Sequence, residues 1–444
     1  MIEDRVKVLI REFNPWWEGK RVNIPEYKRH IFAKIEKYLP KKQIIAIVGL
    51  RRVGKSTLMY QLIGELLTQG IKKENIFYFL FDEIIAQKPE VLEDILNYYL
   101  KVIARDGRKY IFLDEVHKVP YWQDIIKRFY DLRDDLKFFV SGSSSLQIKK
   151  TKESLAGRLF DFYLPILTFR EFLEMKGLEI EKINLDFEDM KKFYEKNIHK
   201  LSLFEEALIE YIFKGGFPEI VLEEDNEIIR NYIKSSVIEK IIFEDIPSVF
   251  EIRRRDMLYS IFEYCCKETS NLLDITKLAN ILEVNYHTTK SYLFYLQHSF
   301  LIDIVFNYSE SFAKQLRKNK KVHIAHPSIA IGIMKYPKEI LEISEITSRY
   351  VETIVFQHVK AKEEKIFFWR TPQKEEVDIV IGKIPVEIKF KRDITMKDIK
   401  GLIKFMKRFK VREGIVVTKG LFERKNINGK EIIFIPAWLF LLIS

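Results

Sequence analysis

The stretch Gln43-Ile-Ile-Ala-Ile-Val48-Gly49-Leu50-Arg51-Arg52-Val53-Gly54-Lys55-Ser56-Thr57 decides the reading of the first half of the chain. The apolar run before Gly49 reads as a buried strand, and positions 56–69 carry helical spacing. Between them stands G-x-x-x-x-G-K-[ST], in the strand–loop–helix setting that phosphate binding needs. Gly49 and Gly54 let the backbone curl so that its N–H groups face phosphates, and the helix N-terminus adds partial positive charge. Lys55 is placed to reach the β and γ phosphates, and the Ser56 hydroxyl to ligate Mg²⁺. Val53 and Thr57 complete the loop. Arg51 and Arg52 face phosphate, an acid or a neighbour, and the spacing does not choose among these.

Outward from the loop, apolar runs at 76–81, 109–113 and 137–141 alternate with amphipathic stretches at 89–104 and 121–134. Strand and helix in alternation imply an α/β fold, a parallel sheet with helices on both faces. The third run ends Leu113-Asp114-Glu115. Asp114 is expected to hold the Mg²⁺ through its water shell. Glu115, pointing to the other side, is expected to polarise the attacking water. An acid in that place favours hydrolysis of ATP over binding alone.

The loop, Asp82-Glu83, Leu113-Asp114-Glu115 and Val140-Ser141-Gly142-Ser143-Ser144 resemble the archaeal AAA-like P-loop ATPase family. The resemblance implies an ASCE-type sheet, with the Glu115 strand inserted between the loop strand and its neighbour, and ATP as the nucleotide. No guanine-reading N-K-x-D motif is present. It places Ser141 or Ser143 as a polar sensor of the γ-phosphate. Leu155-Ala-Gly157-Arg158 also matches, and Arg158 then neutralises transition-state charge in cis or on a neighbouring subunit. A homo-oligomer is required only in the second case. An ordinary ion pair is the alternative for Arg158. Gly215-Gly216-Phe217-Pro218-Glu219 reads as a helix-breaking turn.

Asp274 to Leu282 and His287 to Leu296 read as two helices around a short turn, followed by a strand at 300–306, which is winged-helix order. His287, Thr288, Lys290 and Ser291 form the outer face of the second helix. Lys314-Gln-Leu-Arg317-Lys318-Asn-Lys320-Lys321 carries five cations and no acid; as a hairpin wing it would meet DNA phosphates. A module that only packs domains together, with its charges solvated, is the other reading.

Late in the chain, Glu376-Val-Asp378-Ile-Val-Ile381-Gly382-Lys383-Ile384-Pro385-Val-Glu387-Ile-Lys389 reads as a hairpin with a two-residue loop. With Ile381 facing Ile384, Asp378 lies opposite Glu387 and Glu376 opposite Lys389. Facing carboxylates repel, and a divalent cation, Mg²⁺ or Mn²⁺, would remove the conflict. Lys389 beside them would orient water or stabilise a phosphorane. Asp378 … Glu387-Ile-Lys389 resembles the core of the PD-(D/E)xK nucleases, in which a helical acid completes the metal site; Glu352 has the right order in the chain. An inherited fold without cleavage is the alternative. Ala325-His326-Pro327 departs from the aspartate-containing turn of the AAA-like relatives, so the join between modules is expected to differ.

Of 444 residues, 47% are hydrophobic and 31% charged, which excludes wholesale disorder. Lys and Arg number 75 against 64 Asp and Glu, a net +11 that favours an anionic partner such as DNA. From 391 to 430 there are thirteen Lys/Arg and four Asp/Glu, so most of the excess lies beside the nuclease-like motif or forms a solvated helix face there. The two adjacent cysteines make a poor staple, so a reducing, cytoplasmic setting is expected. The apolar run at 432–443 is too short to span a membrane and suits a strand followed by a Pro-initiated helix. The expected division is an N-terminal helical segment at 1–40, an ATPase domain at 41–175, a helical lid or linker at 176–270, a winged-helix-like domain at 271–330 and a nuclease-like α/β domain at 331–444.

Overall fold

The computed structural model describes residues 3–142, 155–336, 338–363 and 365–443. Two compact units emerge, finer divisions aside: Met1–Pro165 with Asp245–Glu251, and Ile166–Glu244 with Ile252–Ser444.

In the first unit, strands β1 (Ile44–Val48), β2 (Ile76–Leu80), β3 (Lys109–Asp114), β4 (Leu136–Gly142) and β5 (Leu159–Tyr163) form one parallel sheet in the order β2-β3-β4-β1-β5. Strands β1, β3 and β4 are buried along their whole length, which is why they read as unbroken apolar runs. Helices Lys55–Thr68, Pro89–Tyr98 and Trp122–Leu132 connect them. Phe77, Phe79, Ile111, Leu113 and Phe138 pack on Leu92, Ile95, Trp122 and Ile126, and the same core takes Val6, Leu9 and Ile10 of the first helix. The N-terminal residues are therefore part of this unit. Asn14 seals the join: its amide donates to the Ile10 and Tyr78 carbonyls at 2.7 and 2.8 Å and accepts from Tyr78 N at 2.7 Å.

Two expectations are corrected. The strand inserted beside β1 is β4, and the Asp114 strand lies one place further out. A fifth strand, β5, covers the other edge of β1; the exposed Asp161 in its middle breaks the apolar pattern that marked the others.

The second unit begins with helices and contains two sheets. Strands β6 (Leu272–Leu273), β7 (Ile302–Phe306) and β8 (Lys320–Ile324) are antiparallel in the order β6-β8-β7. Around them run helices Arg255–Lys267, Ile275–Ile281 and Tyr286–His298. Asp274 and Asn285 cap the last two by accepting from Lys277 N and Thr288 N. The mixed sheet has the order β13-β14-β12-β11-β10-β9, with β9 (Ile366–Arg370), β10 (Glu376–Ile381), β11 (Ile384–Lys389), β12 (Glu413–Thr418), β13 (Glu423–Ile427) and β14 (Lys430–Pro436). Leu402 and Met406 of helix Lys400–Arg408 pack on Val416 and Phe434. Pro436 stands at the N-cap position of the final helix, Ala437–Phe440. Among the described residues no helix is long and apolar enough to cross a membrane.

Candidate functional site

The phosphate loop joins β1 to helix Lys55–Thr68. Gly49 is required by packing: a Cβ there would collide with the carbonyl oxygen of Leu164, just past the end of β5. Gly54 is required by conformation, with φ +98° at the helix N-cap. The helix start has no side-chain cap, so its first N–H groups keep their capacity for an anion. Val53 is buried, and its carbonyl accepts from Arg29 Nη1 at 2.8 Å. Arg52 takes a left-handed φ of +65°. Ser56 is exposed and Thr57 half-buried at the head of the helix.

Lys55 is 5% exposed. Its Nζ folds over the loop to the Gly49 and Leu50 carbonyls at 3.2 and 3.1 Å and stands 3.8 Å from Glu115 Oε1. That approach depends on the backbone at Glu115, where β3 has ended and φ is +53°, an uncommon conformation for a residue with a side chain. Instead of pointing away from Asp114's side of the sheet, Glu115 turns to the lysine. Burial works to raise its carboxyl, but Lys55, His117, Lys118 and Arg51 together hold it below the usual carboxylate value, so it stays ionised. His117 Nδ1 lies 3.4 Å from Glu115 Oε2; burial lowers the imidazole, against the opposing pull of Glu115 and Asp245.

Asp114 is fully buried. Its Oδ1 accepts from the Ser141 hydroxyl and from Glu115 N, and its Oδ2 from the Tyr78 hydroxyl at 2.7 Å. A carboxylate has about four acceptor positions, so the remaining one fits a metal-bound water, with the exposed Ser56 hydroxyl as the second donor. Ser141 thus orients the acid pair, and its Oγ also accepts from Glu115 N at 2.9 Å. Ser143 lies outside the described residues. Arg51 Nη1 donates to Asp245 Oδ1 at 2.9 Å.

Arg158 is not brought to this site. It precedes β5, its carbonyl accepts from Ile44 N at the start of β1, and the loop follows the other end of β1, roughly 13 Å away at 3.3 Å per residue. Its guanidinium pairs with Asp131 at 2.7 and 3.1 Å. In this arrangement the guanidinium is held away from the loop of its own chain.

In the second unit the hairpin has the expected register: Ile381 faces Ile384, Val380 faces Pro385 and Ile379 faces Val386. The ladder then ends, because Asp378 Oδ2 accepts from Ile388 N at 2.8 Å. Glu376 does not reach Lys389; it pairs with Arg370 and Lys321, both at 2.5 Å. Lys389 Nζ sits 2.6 Å from Glu387 Oε1 and 3.9 Å from Asp378 Oδ2. Glu352, on helix Ser344–Lys360, joins the cluster through Lys321 at 2.9 Å, and Lys321 is also 3.5 Å from Asp378. Glu352, Asp378, Glu387 and Lys389 therefore do converge, with Lys321 among the acids. This corrects the wing: Lys321 lies in β8, 2% exposed, and Lys314 and Arg317 lie in a short helix, Phe312–Arg317. Burial opposes the Lys321 charge, yet Glu352, Asp378 and Glu376 raise it above an ordinary lysine. Burial pushes Glu352 up to about 8. Burial and then Asp378 push Glu387 well above the carboxylate range. Among the described residues, no group of three or more His, Cys, Asp or Glu is arranged to hold a metal ion.

Sequence reasoning missed Tyr78, His117, Asp245 and Lys321. His117 had a signal, two residues beyond Glu115. Asp245 had none, being 190 residues from Lys55.

Fold and loop together define a P-loop ATPase-like domain of AAA type. Residues 41–173 match the model of a family described as an AAA domain. Residues 205–339 and 347–440 match two families described as domains of unknown function, DUF8612 and DUF4143. Two uncharacterized proteins of Methanocaldococcus jannaschii are similar along nearly the whole chain. One is 25% identical over 92% of this chain and 87% of its own length. The other is 27% identical over 90% and 88%. A solved DNA polymerase III gamma subunit-related protein from Thermotoga maritima is 11% identical, covering 60% of this chain and 99% of its own, with a TM-score of 0.27.

Proposed function

We propose that the chain is a Mg²⁺-dependent ATPase acting on or with DNA. The observation that carries the hydrolytic half is the convergence of Lys55 and an ionised Glu115 above the loop, 3.8 Å apart. Mg²⁺, held by Ser56 and water on Asp114, would neutralise phosphate charge. Lys55 would leave the Gly49 and Leu50 carbonyls for the phosphates. Glu115 would accept the proton of the attacking water.

Support for DNA comes from the second unit. Helix, short strand, two helices and a strand run in winged-helix order, with a short helix, Phe312–Arg317, standing before the last strand. On helix Tyr286–His298, His287, Lys290 and Ser291 are exposed while Leu293 and Leu296 are buried. Lys400, Lys404, Lys407 and Arg408 are exposed along helix Lys400–Arg408. Glu352, Asp378, Glu387 and Lys389 support a nuclease-like module, with Mg²⁺ or Mn²⁺ as its metal. Lys321 favours a second reading, a nucleotide-controlled switch with an inactive scaffold, because its ammonium already supplies the positive charge those acids need. An oligomer enters only if Arg158 acts across subunits.

The test is ATP turnover with no DNA and with single-stranded, double-stranded or branched DNA, in Mg²⁺ and in Mn²⁺, reading both phosphate and DNA fragments. Turnover stimulated by DNA and abolished in Lys55→Ala is expected. Turnover indifferent to every DNA would remove the DNA half. DNA fragments lost in Asp378→Ala would overturn the scaffold reading.

A further inference from the structure

The phosphate loop carries an arginine whose partner comes from far along the chain. The chain leaves the first unit at Pro165, returns for Asp245–Glu251 and leaves again. The returning segment is a short helix, Ile246–Val249, tied by Ser248 Oγ donating to the Asp245 carbonyl at 2.7 Å and Phe250 N to the Ile246 carbonyl at 2.9 Å. Asp245 is 8% exposed. Its Oδ1 takes the 2.9 Å hydrogen bond from Arg51, and its Oδ2 has no hydrogen-bond partner among the described residues. A buried carboxylate with one oxygen unsatisfied is costly. Burial, and after it nearby Glu115, oppose its charge, while Arg51 and more weakly His117 and Lys118 favour it. The segment is held by the buried Ile246 and by this ion pair, a contact that a stronger anion can take.

A nucleoside triphosphate is that anion. The guanidinium fork fits phosphate oxygens better than a single carboxylate oxygen, and Arg51 lies inside the loop that would hold them. Once Arg51 turns, Asp245 is left buried near Glu115 with only the weaker pull of His117 and Lys118, and like-charge repulsion with desolvation disfavours its position.

We propose that Asp245 is a positioning residue of the phosphate loop, holding Arg51 when no nucleotide is bound and yielding it to the triphosphate, so that nucleotide binding undocks segment 245–251. This rests on the nucleotide reading above and adds a determinant outside residues 41–173. By reciprocity, whatever weakens the Arg51–Asp245 pair must strengthen nucleotide binding by the same coupling.

The experiment is hydrogen–deuterium exchange on the full chain with Mg²⁺ and a non-hydrolysable ATP analogue, paired with calorimetric titration of that analogue. Amides 246–251 should exchange faster with the analogue bound. Asp245→Asn should exchange fast with or without it and bind it roughly 5-fold or more tighter; Asp245→Glu, which keeps the charge, should restore the wild-type response. Wild-type protein that binds the analogue with exchange at 246–251 unchanged or slowed overturns this inference and leaves the ATPase reading standing. Wild-type protein that gives no binding heat overturns both. The wild-type arm needs no variant to fold.

Discussion

At Glu115 one backbone torsion decides the chemistry. A strand residue after Asp114 would face away from it; the left-handed φ instead carries the carboxylate to within 3.8 Å of Lys55. Glu115→Gln keeps the shape and removes the proton acceptor. It should lower ATP turnover by roughly 10²- to 10⁴-fold while calorimetry still detects nucleotide; full turnover would remove Glu115 as the base. Gly49→Ala tests the loop differently. Its methyl meets the Leu164 carbonyl, so strain of about 1–3 kcal/mol is expected, read as a lower melting temperature together with weaker nucleotide binding. Unchanged stability would mean that β1 and β5 are less closely packed.

At the scale of elements, His326 shows how a departure in sequence becomes a working part. It caps helix Pro327–Met334: Nδ1 accepts from Ser328 N at 3.2 Å. Its ring packs on Tyr211 and closes over Gly216, whose φ is +95°. Ser328 Oγ donates to the Gly215 carbonyl at 2.9 Å. Burial lowers His326 to about 3, against about 6.5 in an unfolded chain. Between those values the unfolded state binds the extra proton, so stability is present above pH 6.5 and is lost as pH falls towards 3. The loss approaches about 1.4 kcal/mol per pH unit. His326→Asn retains a capping side chain and should flatten the decline in melting temperature between pH 7 and pH 5. An undiminished slope would assign it to other groups. The turn at 215–219 was legible from its glycines; that a histidine a hundred residues later closes over it was not, since ring packing leaves no spacing in the sequence.

At the scale of the whole molecule, each unit gathers a charge cluster from remote parts of the chain. In the first, Asp245 meets Arg51. In the second, Lys321 from the three-stranded sheet meets Glu352 from a helix and Glu376 and Asp378 from the six-stranded sheet. Lys321→Met removes the central cation from three buried or half-buried acids. It should cost about 3–5 kcal/mol, as breaking a buried pair does, and the double variant with Glu376→Gln should recover part of that. A thermal scan of both proteins checks it. Mn²⁺ raising the melting temperature of Lys321→Met but not of the wild type would show that ammonium and metal compete for one place; stabilisation of the wild type that vanishes in Asp378→Asn would show that they do not.

Local physics in the sequence determined the parallel sheet, the phosphate loop and its acid, and the register of the late hairpin, since each depends on apolar runs, glycine spacing or period-two alternation among neighbours. Tertiary structure alone decided what those side chains face. β5 was hidden because Asp161 interrupts its short apolar run, which an edge strand tolerates. Arg158 lies at the end of β1 away from the loop and pairs with Asp131, because a motif carries order but no direction. Lys321, one cation in a basic run, became the buried counter-charge of three acids. Such pairings are set by where strands and helices meet in space, over separations that no periodicity within the chain records.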